Sequence, residues 1–283
     1  ESFISMVCRA EFMRFYIHGR GYYRRSTTRA TGGGQSGPRS VPRTGALLPT
    51  GRKAPRVLSV ELHTHSSHSY DGRDPVEMLL EQAAAVGLDA IAVTDHDEYE
   101  ASARAAELAP DYGLIGIPGM EVTSAAGHVL ALGIRDPVPI GRPFTETLEH
   151  IRDAGGIAVV PHPFQGSRSG VAPHVTDAEL ASADAIEVYN SRLLTGRANR
   201  QAESFARERG LPMTAGSDAH IAEMVGQAVT RVDAERADLD GILDAIRDGH
   251  TSVEGRRTPW HVSFRQAAGG AKRRVKNRLR ELL

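Results

Sequence analysis

From Val57 onward, short β-branched runs alternate with longer Ala/Leu/Glu segments, and this alternation restricts the fold more than any other feature. The runs "VLSVEL" (57–62), "DAIAVT" (89–94), "GLIGIPG" (113–119), "HVLALGI" (128–134), "GIAVVP" (156–161), "DAIEVY" (184–189), "PMTAGS" (212–217) and "QAVTRV" (227–232) read as strands. Several are apolar throughout, as strands covered on both faces tend to be. Between them, "PVEMLLEQAAAVG" opens with Pro75 after Asp74 and closes on Gly87, a helix start and stop. "FTETLEHIRDAGG", "TGRANRQAESFARERG" and "LDGILDAIRDG" repeat the pattern, each closing on glycine. Strands alternating with helices predict parallel βαβ units in an α/β fold.

Charge divides the chain into three parts. Residues 1–55 carry ten Lys/Arg against two acids, residues 264–283 carry seven against one, and the intervening 56–263 carry 17 Arg, 32 acids and no Lys. A lysine-free acidic body fits a high-salt cytoplasm, where acidic surfaces stay soluble; a GC-rich genome would also exchange Lys for Arg. Residues 1–55 include "TGGGQSGPRSVPRTG", a mixture too poor in apolar residues to fold alone, and are read as a disordered basic extension. Their Arg-rich, acid-poor character resembles an organellar transit peptide or an upstream start. The folded domain is expected over 56–255 and a basic tail over 256–283, with a short basic helix after Gly270 that reads as solvated or surface-docked in preference to a nucleic-acid or membrane contact.

No apolar run approaches the roughly 18 residues of a membrane span, so no membrane partner is expected. No obligate protein partner is evident, and a reducing cytoplasm is the default location. Cys8 is the single cysteine, which excludes an internal disulfide and a cysteine-based zinc site. Any metal must therefore be held by His, Asp and Glu.

The histidines fall at strand ends. His63 and His65 follow the first strand, His96 the second, His162 the fifth and His220 the seventh, whereas His128 begins a strand. Asp71, Asp95, Asp97, Glu121, Glu187 and Asp218 accompany them. Parallel strands deliver their carboxyl ends to one face, so these side chains are expected to converge. A lone His-x-His is more often incidental than a ligand pair, but alternate residues of an extended strand share a face, so His63 and His65 can reach one ion. Imidazoles with carboxylates suit zinc, manganese or iron, and a bridging carboxylate can hold two ions about 3.5–4 Å apart.

The ordered motifs "ELHTHSSHSYDG", "AVTDHD", "GMEVTS", "GHVLALG", "VPHP", "IEVYN" and "GSDAH" resemble those of the polymerase and histidinol phosphatase (PHP) family. The resemblance covers about 57–255 and implies a distorted (β/α)7 TIM-like barrel with two or three divalent ions, of zinc, manganese or iron. Carried over residue by residue, it implies one ion held by His63, His65, Glu121 and Asp218. Glu121 bridges to a second ion completed by His128 and His162, and Asp71, His96 and His220 hold a third. His68 is read as a rim residue, and Asp95, Asp97 and Glu187 as groups that orient ligands rather than bind metal.

Such a site, with no Ser or Cys nucleophile, suits attack of a metal-activated hydroxide on a phosphomonoester. His220, Asp218 and Arg192 are the candidate catalytic residues. Arg192, Arg168 and Asn190 are candidates for holding the substrate's phosphate, since Arg pairs well with phosphate oxygens; Arg197 and Arg200 read as surface charges. Only 33 residues separate His128 from His162, so the helical insertion of nucleotide-trimming relatives is absent. Discrimination then falls to the loops 124–127 and 165–174. The expected substrate is a small phosphorylated molecule, a class that includes nucleotides and short oligonucleotides. Alternatives are a 5′–3′ exonuclease acting on short DNA or RNA, a hydrolase of nonphosphate ester or carbamate bonds, and a noncatalytic module of the kind attached to polymerases.

Overall fold

The computed structural model describes residues 56–166, 169–192 and 196–256. Arg168 and the readings made for 1–55 and 257–283 lie outside them. The strands are β1 (Arg56–Glu61), β2 (Ala90–Ala92), β3 (Ile115–Ile117), β4 (Gly119–Ser124), β5 (Gly127–Leu132), β6 (Ile157–Val160), β7 (Ala185–Asn190), β8 (Met213–Gly216), β9 (Ala228–Ala234) and β10 (Thr251–Gly255). The helices are α1 (Val76–Ala85), α2 (Glu100–Leu108), α3 (Phe144–Asp153), the single turn α4 (Asp177–Leu180), α5 (Arg197–Arg209) and α6 (Leu239–Arg247).

These strands form two five-stranded sheets, ordered β10-β9-β1-β2-β3 and β4-β5-β6-β7-β8. The α/β class holds, but the ladders among the described residues do not close into a barrel. Isolated parallel bridges, Thr64 with Ala219 and His96 with Glu121, join the sheets at the ends where the histidines lie, and Thr230 of β9 and Thr251 of β10 hydrogen-bond to β8 at Ala215 and Met213. β1–β2, β2–β3, β6–β7 and β7–β8 are parallel, whereas β9 runs antiparallel to β1 and β5 antiparallel to both β4 and β6.

Leu58 and Val60 of β1 share one apolar core with Leu130 and Leu132 of β5, Ile157 and Val159 of β6, and Ile242 and Ile246 of α6. Fully burying each such side chain contributes about 1.5–3 kcal/mol. A second core packs α3 and α5 on the other sheet through Leu148, Ile151, Ala202 and Phe205. A third packs α1 and α2 through Leu79, Leu80, Ala101 and Ala105. Between His128 and His162 lies the single helix α3, as the short interval requires.

Candidate metal centre

The carboxyl end of β1 leads into His63 and His65, both fully buried. β2 is followed by His96, β6 by His162 and β8 by Asp218 and His220. Glu121 sits within β4 and His128 at the start of β5. Because β5 runs against both neighbours, its amino end lies at the same edge as their carboxyl ends, which is why the one strand-opening histidine joins the others.

Five imidazoles surround Glu121. Its Oε2 lies 3.1 Å from His63 Nε2, 3.2 Å from His65 Nε2 and 3.4 Å from His96 Nδ1, and its Oε1 lies 2.8 Å from His128 Nδ1 and 3.5 Å from His162 Nε2. Asp71 Oδ2 lies 2.7 Å from His220 Nε2 and 3.7 Å from His96 Nε2. Asp218 Oδ1 is 3.2 Å from His220 Nδ1 and 3.7 Å from His65 Nε2. All nine residues singled out as ligands thus meet in one cluster. Their donor atoms gather, within 4.8 Å of one another, as His65, Asp71, His96 and His220; as His63, His162 and Asp218; as His63, His65 and Glu121; and as His96, Glu121 and His128. The grouping differs in part from the one the motifs imply, since His162 and Asp218 approach each other around His63.

Residues 61–151 match the PHP domain family and residues 196–251 the PHP-associated family. The chain carries a PHP domain. An uncharacterized protein of Methanocaldococcus jannaschii is 27% identical over 144 residues, which are 47% of this chain and 82% of that one. Phosphoribosyl 1,2-cyclic phosphate 1,2-diphosphodiesterase of Eggerthella lenta is 36% identical over 85 residues, 28% of this chain and 32% of that enzyme. A two-domain protein of Bacteroides vulgatus, containing a predicted PHP-like metal-dependent phosphoesterase, superposes with a TM-score of 0.61 at 23% identity. That likeness of fold covers 75% of this chain and 70% of the other.

The donor atoms of the PHP site fit metal ions. His65 Nδ1 and Nε2, His96 Nδ1, Glu121 Oε1 and His162 Nδ1 are buried and have no hydrogen-bond partner, although a buried polar atom left so costs about 1–3 kcal/mol. Burial, then His220, lowers the pKa of His65; burial, then Arg192, lowers that of His220; and burial brings His96 down to about 4. These imidazoles are therefore neutral, with lone pairs to donate. Burial opposes the charge of Glu121, yet His96 and His63 hold its carboxyl well below the usual range. His63 is pushed up, against its burial, by Glu121 and Glu187.

Behind the donors stand groups that aim them. Glu187 Oε1 lies 3.0 Å from His63 Nδ1, leaving Nε2 to face Glu121. Glu187 Oε2 accepts from the His162 backbone N–H at 2.9 Å and from Asn190 Nδ2 at 3.0 Å. Gly216 keeps this junction open, since a Cβ there would lie 2.5 Å from both Glu187 Oε1 and His63 Cβ. Asp97, His162 and Asp218 have φ of 55°, 32° and 50°, left-handed conformations costly outside glycine and typical of functional loops.

Other sequence readings change in detail. Asn190 is 1% exposed and its amide donates to Glu187 and Asp218, so it braces a carboxylate behind the cluster instead of facing substrate. Asp95 accepts from the Ser66 N–H at 2.6 Å and Ser66 Oγ at 2.5 Å, fixing the loop beside the ligand His65. Asp97 accepts from the Thr123 N–H at 2.7 Å. Arg192 does reach the cluster, its NH1 3.0 Å from Asp218 Oδ1 and 2.7 Å from His220 Nε2. His68 is exposed at the rim, and Arg197 and Arg200 are exposed on α5.

Glu61 was not legible as a site residue. It is fully buried and accepts from the backbone N–H groups of His63 (3.2 Å), Ser217 (3.0 Å) and Gly226 (3.0 Å) and from the Ser217 hydroxyl. It thereby ties the strand bearing His63 to the loop bearing Asp218 and His220. Burial pushes its carboxyl up to about 7 against those four donors.

Proposed function

We propose that this PHP domain hydrolyses phosphate monoesters of small molecules, using two or three divalent ions. The reading rests on one observation: nine His, Asp and Glu side chains converge, and several of their buried donor atoms lie against one another without making an aligned hydrogen bond. The proposed ligands are His63, His65, Asp71, His96, Glu121, His128, His162, Asp218 and His220. When bound, such ions acidify water from a pKa of 15.7 toward about 7 and offset charge on phosphate oxygens.

The protein's own groups supply orientation and proton handling. Glu187 fixes the His63 ring through Nδ1, and Asn190 holds Asp218 through its Oδ2. Arg192, anchored beside Asp218 and His220, brings a fixed cation to the cluster edge, where it orients a phosphate oxygen. His220 lies between Asp71 and Arg192; the third ion that it would help to hold stabilises the leaving oxygen, and His220 protonates that oxygen only where the third ion is absent. Zinc, manganese and iron all suit this donor set.

The test is metal analysis of the purified protein together with a panel of phosphate monoesters, a cyclic phosphodiester and 5′-phosphorylated oligonucleotides. The expected result is bound divalent metal, phosphate release from the monoesters, its loss on chelation, and its loss in His65→Ala with the fold retained. Turnover that survives complete chelation overturns the reading, and turnover confined to oligonucleotides replaces it with the nuclease alternative.

A further inference from the structure

A cation of the protein's own lies against His220. The donor atom of His220 groups with those of His65, Asp71 and His96, all within 4.8 Å of one another, as the place for a third ion. Arg192 reaches the same place: its NH1 lies 2.7 Å from His220 Nε2, 3.2 Å from His220 Nδ1 and 3.0 Å from Asp218 Oδ1. The guanidinium is held there. The Arg192 side chain is 17% exposed, and its backbone N–H donates to Asn190 Oδ1 at 3.0 Å. Asn190 is tied in turn to α5, its N–H donating to Asn199 Oδ1 and its carbonyl accepting from Asn199 Nδ2.

Because NH1 stands near both ring nitrogens, it lies over the His220 ring and not at the end of the Nε2 lone pair. Nδ1 lies 2.9 Å from the Asp218 carbonyl oxygen, which can only accept, so Nδ1 carries the hydrogen and Nε2 keeps its lone pair. Asp71 Oδ2 lies 2.7 Å from Nε2, and two acceptors so close call for positive charge between them. The donors are thus set for an ion. Yet an ion on Nε2 comes within a few ångströms of a guanidinium that cannot lose its charge, and at that range one unit charge shifts a binding constant by at least about tenfold.

We propose that Arg192 makes the third ion conditional: alone, its guanidinium repels a dication from His220, Asp71 and His96, and a bound phosphate, whose charge offsets both cations, admits it. The inference rests on the phosphoesterase reading for the phosphate and on the Arg192 and His220 geometry for the repulsion. The centre then holds two ions at low free metal and takes the third together with its substrate. By linkage, the third ion tightens phosphate by the same factor.

The experiment starts from chelated, metal-free protein and counts bound manganese by equilibrium dialysis and elemental analysis, with and without inorganic phosphate. In the wild type, saturating phosphate is expected to tighten the weakest manganese by about tenfold or more. Arg192→Met and Arg192→Gln bind that ion about tenfold tighter than the wild type without phosphate, and phosphate adds little further. Arg192→Lys, which keeps the charge, follows the wild type, as does Arg200→Met, which removes an exposed charge on α5. The proposal is overturned if phosphate leaves wild-type manganese binding unchanged, a result that needs no variant to fold. It is also overturned if the Met and Gln variants bind the weakest ion no tighter than the wild type, or if the Lys variant matches them. Conditional uptake without phosphate release from monoesters sinks the phosphoesterase reading and leaves the conditional ion standing; phosphate release with an unconditional third ion does the reverse, and no manganese uptake by any form overturns both.

Discussion

Two fully buried carboxylates lie at the same end of the fold in opposite surroundings. Glu61 accepts from three backbone N–H groups and one hydroxyl, so its oxygens are saturated by groups that cannot leave. Among the described residues, Glu121 takes no backbone N–H on its carboxylate and faces five imidazoles, the nearest with His128 Nδ1 2.8 Å from its Oε1. The difference teaches how to tell a clamp from a ligand: both acids are costly to bury, but one is satisfied by the backbone and the other by groups that themselves bind cations. Glu187 lies between these extremes, taking one backbone N–H, one amide and one imidazole.

The contrast can be broken by substitution. Glu61→Ala leaves three buried N–H groups unpartnered and should cost about 3–5 kcal/mol of stability, read as a lower urea midpoint in metal-free and metal-loaded protein alike. If the two forms lose stability unequally, Glu61 is no mere clamp. Glu121→Gln should reverse this pattern: bound metal falls at least about 100-fold by elemental analysis, and chelation, which lowers the wild-type thermal midpoint, no longer shifts the variant's. Glu187→Gln should weaken metal binding by about 10–100-fold in a competition titration, because the His63 ring loses its fixed tautomer. Ser66→Ala, which removes the hydroxyl bond to Asp95 and keeps the backbone N–H bond to it, should cost about 1 kcal/mol and leave metal content unchanged.

Much of the centre was legible because metal ligands are chemically conspicuous and the strand ends that carry them follow apolar runs. His128 looked like the exception until the antiparallel course of β5 was seen, and direction within a sheet is a tertiary property that local pattern does not encode. Glu61 was hidden because a single Glu in "VLSVEL" reads as ordinary alternation in a strand, and nothing nearby announces Ser217 and Gly226 as its donors. Helix α2 buries only Ala101, Ser102 and Ala105, so it shows no stripe of large apolar residues. β10 is largely exposed and its "TSVEG" carries too little apolar pattern to mark a strand. The ladders among the described residues stop short of a closed barrel, and whether a last ladder zips depends on how the sheets meet, which residue order leaves open.

The β4–β5 hairpin brings Glu121 and His128 within reach of each other across a turn of a few residues. Hairpins close in about 1–10 μs, long before distant segments find one another. His63 and His220, by contrast, arrive from opposite ends of the folded region. Two of the nine donors are thus a local pair, whereas closing the rest of the cage brings together residues up to 157 positions apart, and a bound ion, by tying those segments, stabilises contacts across the whole folded region.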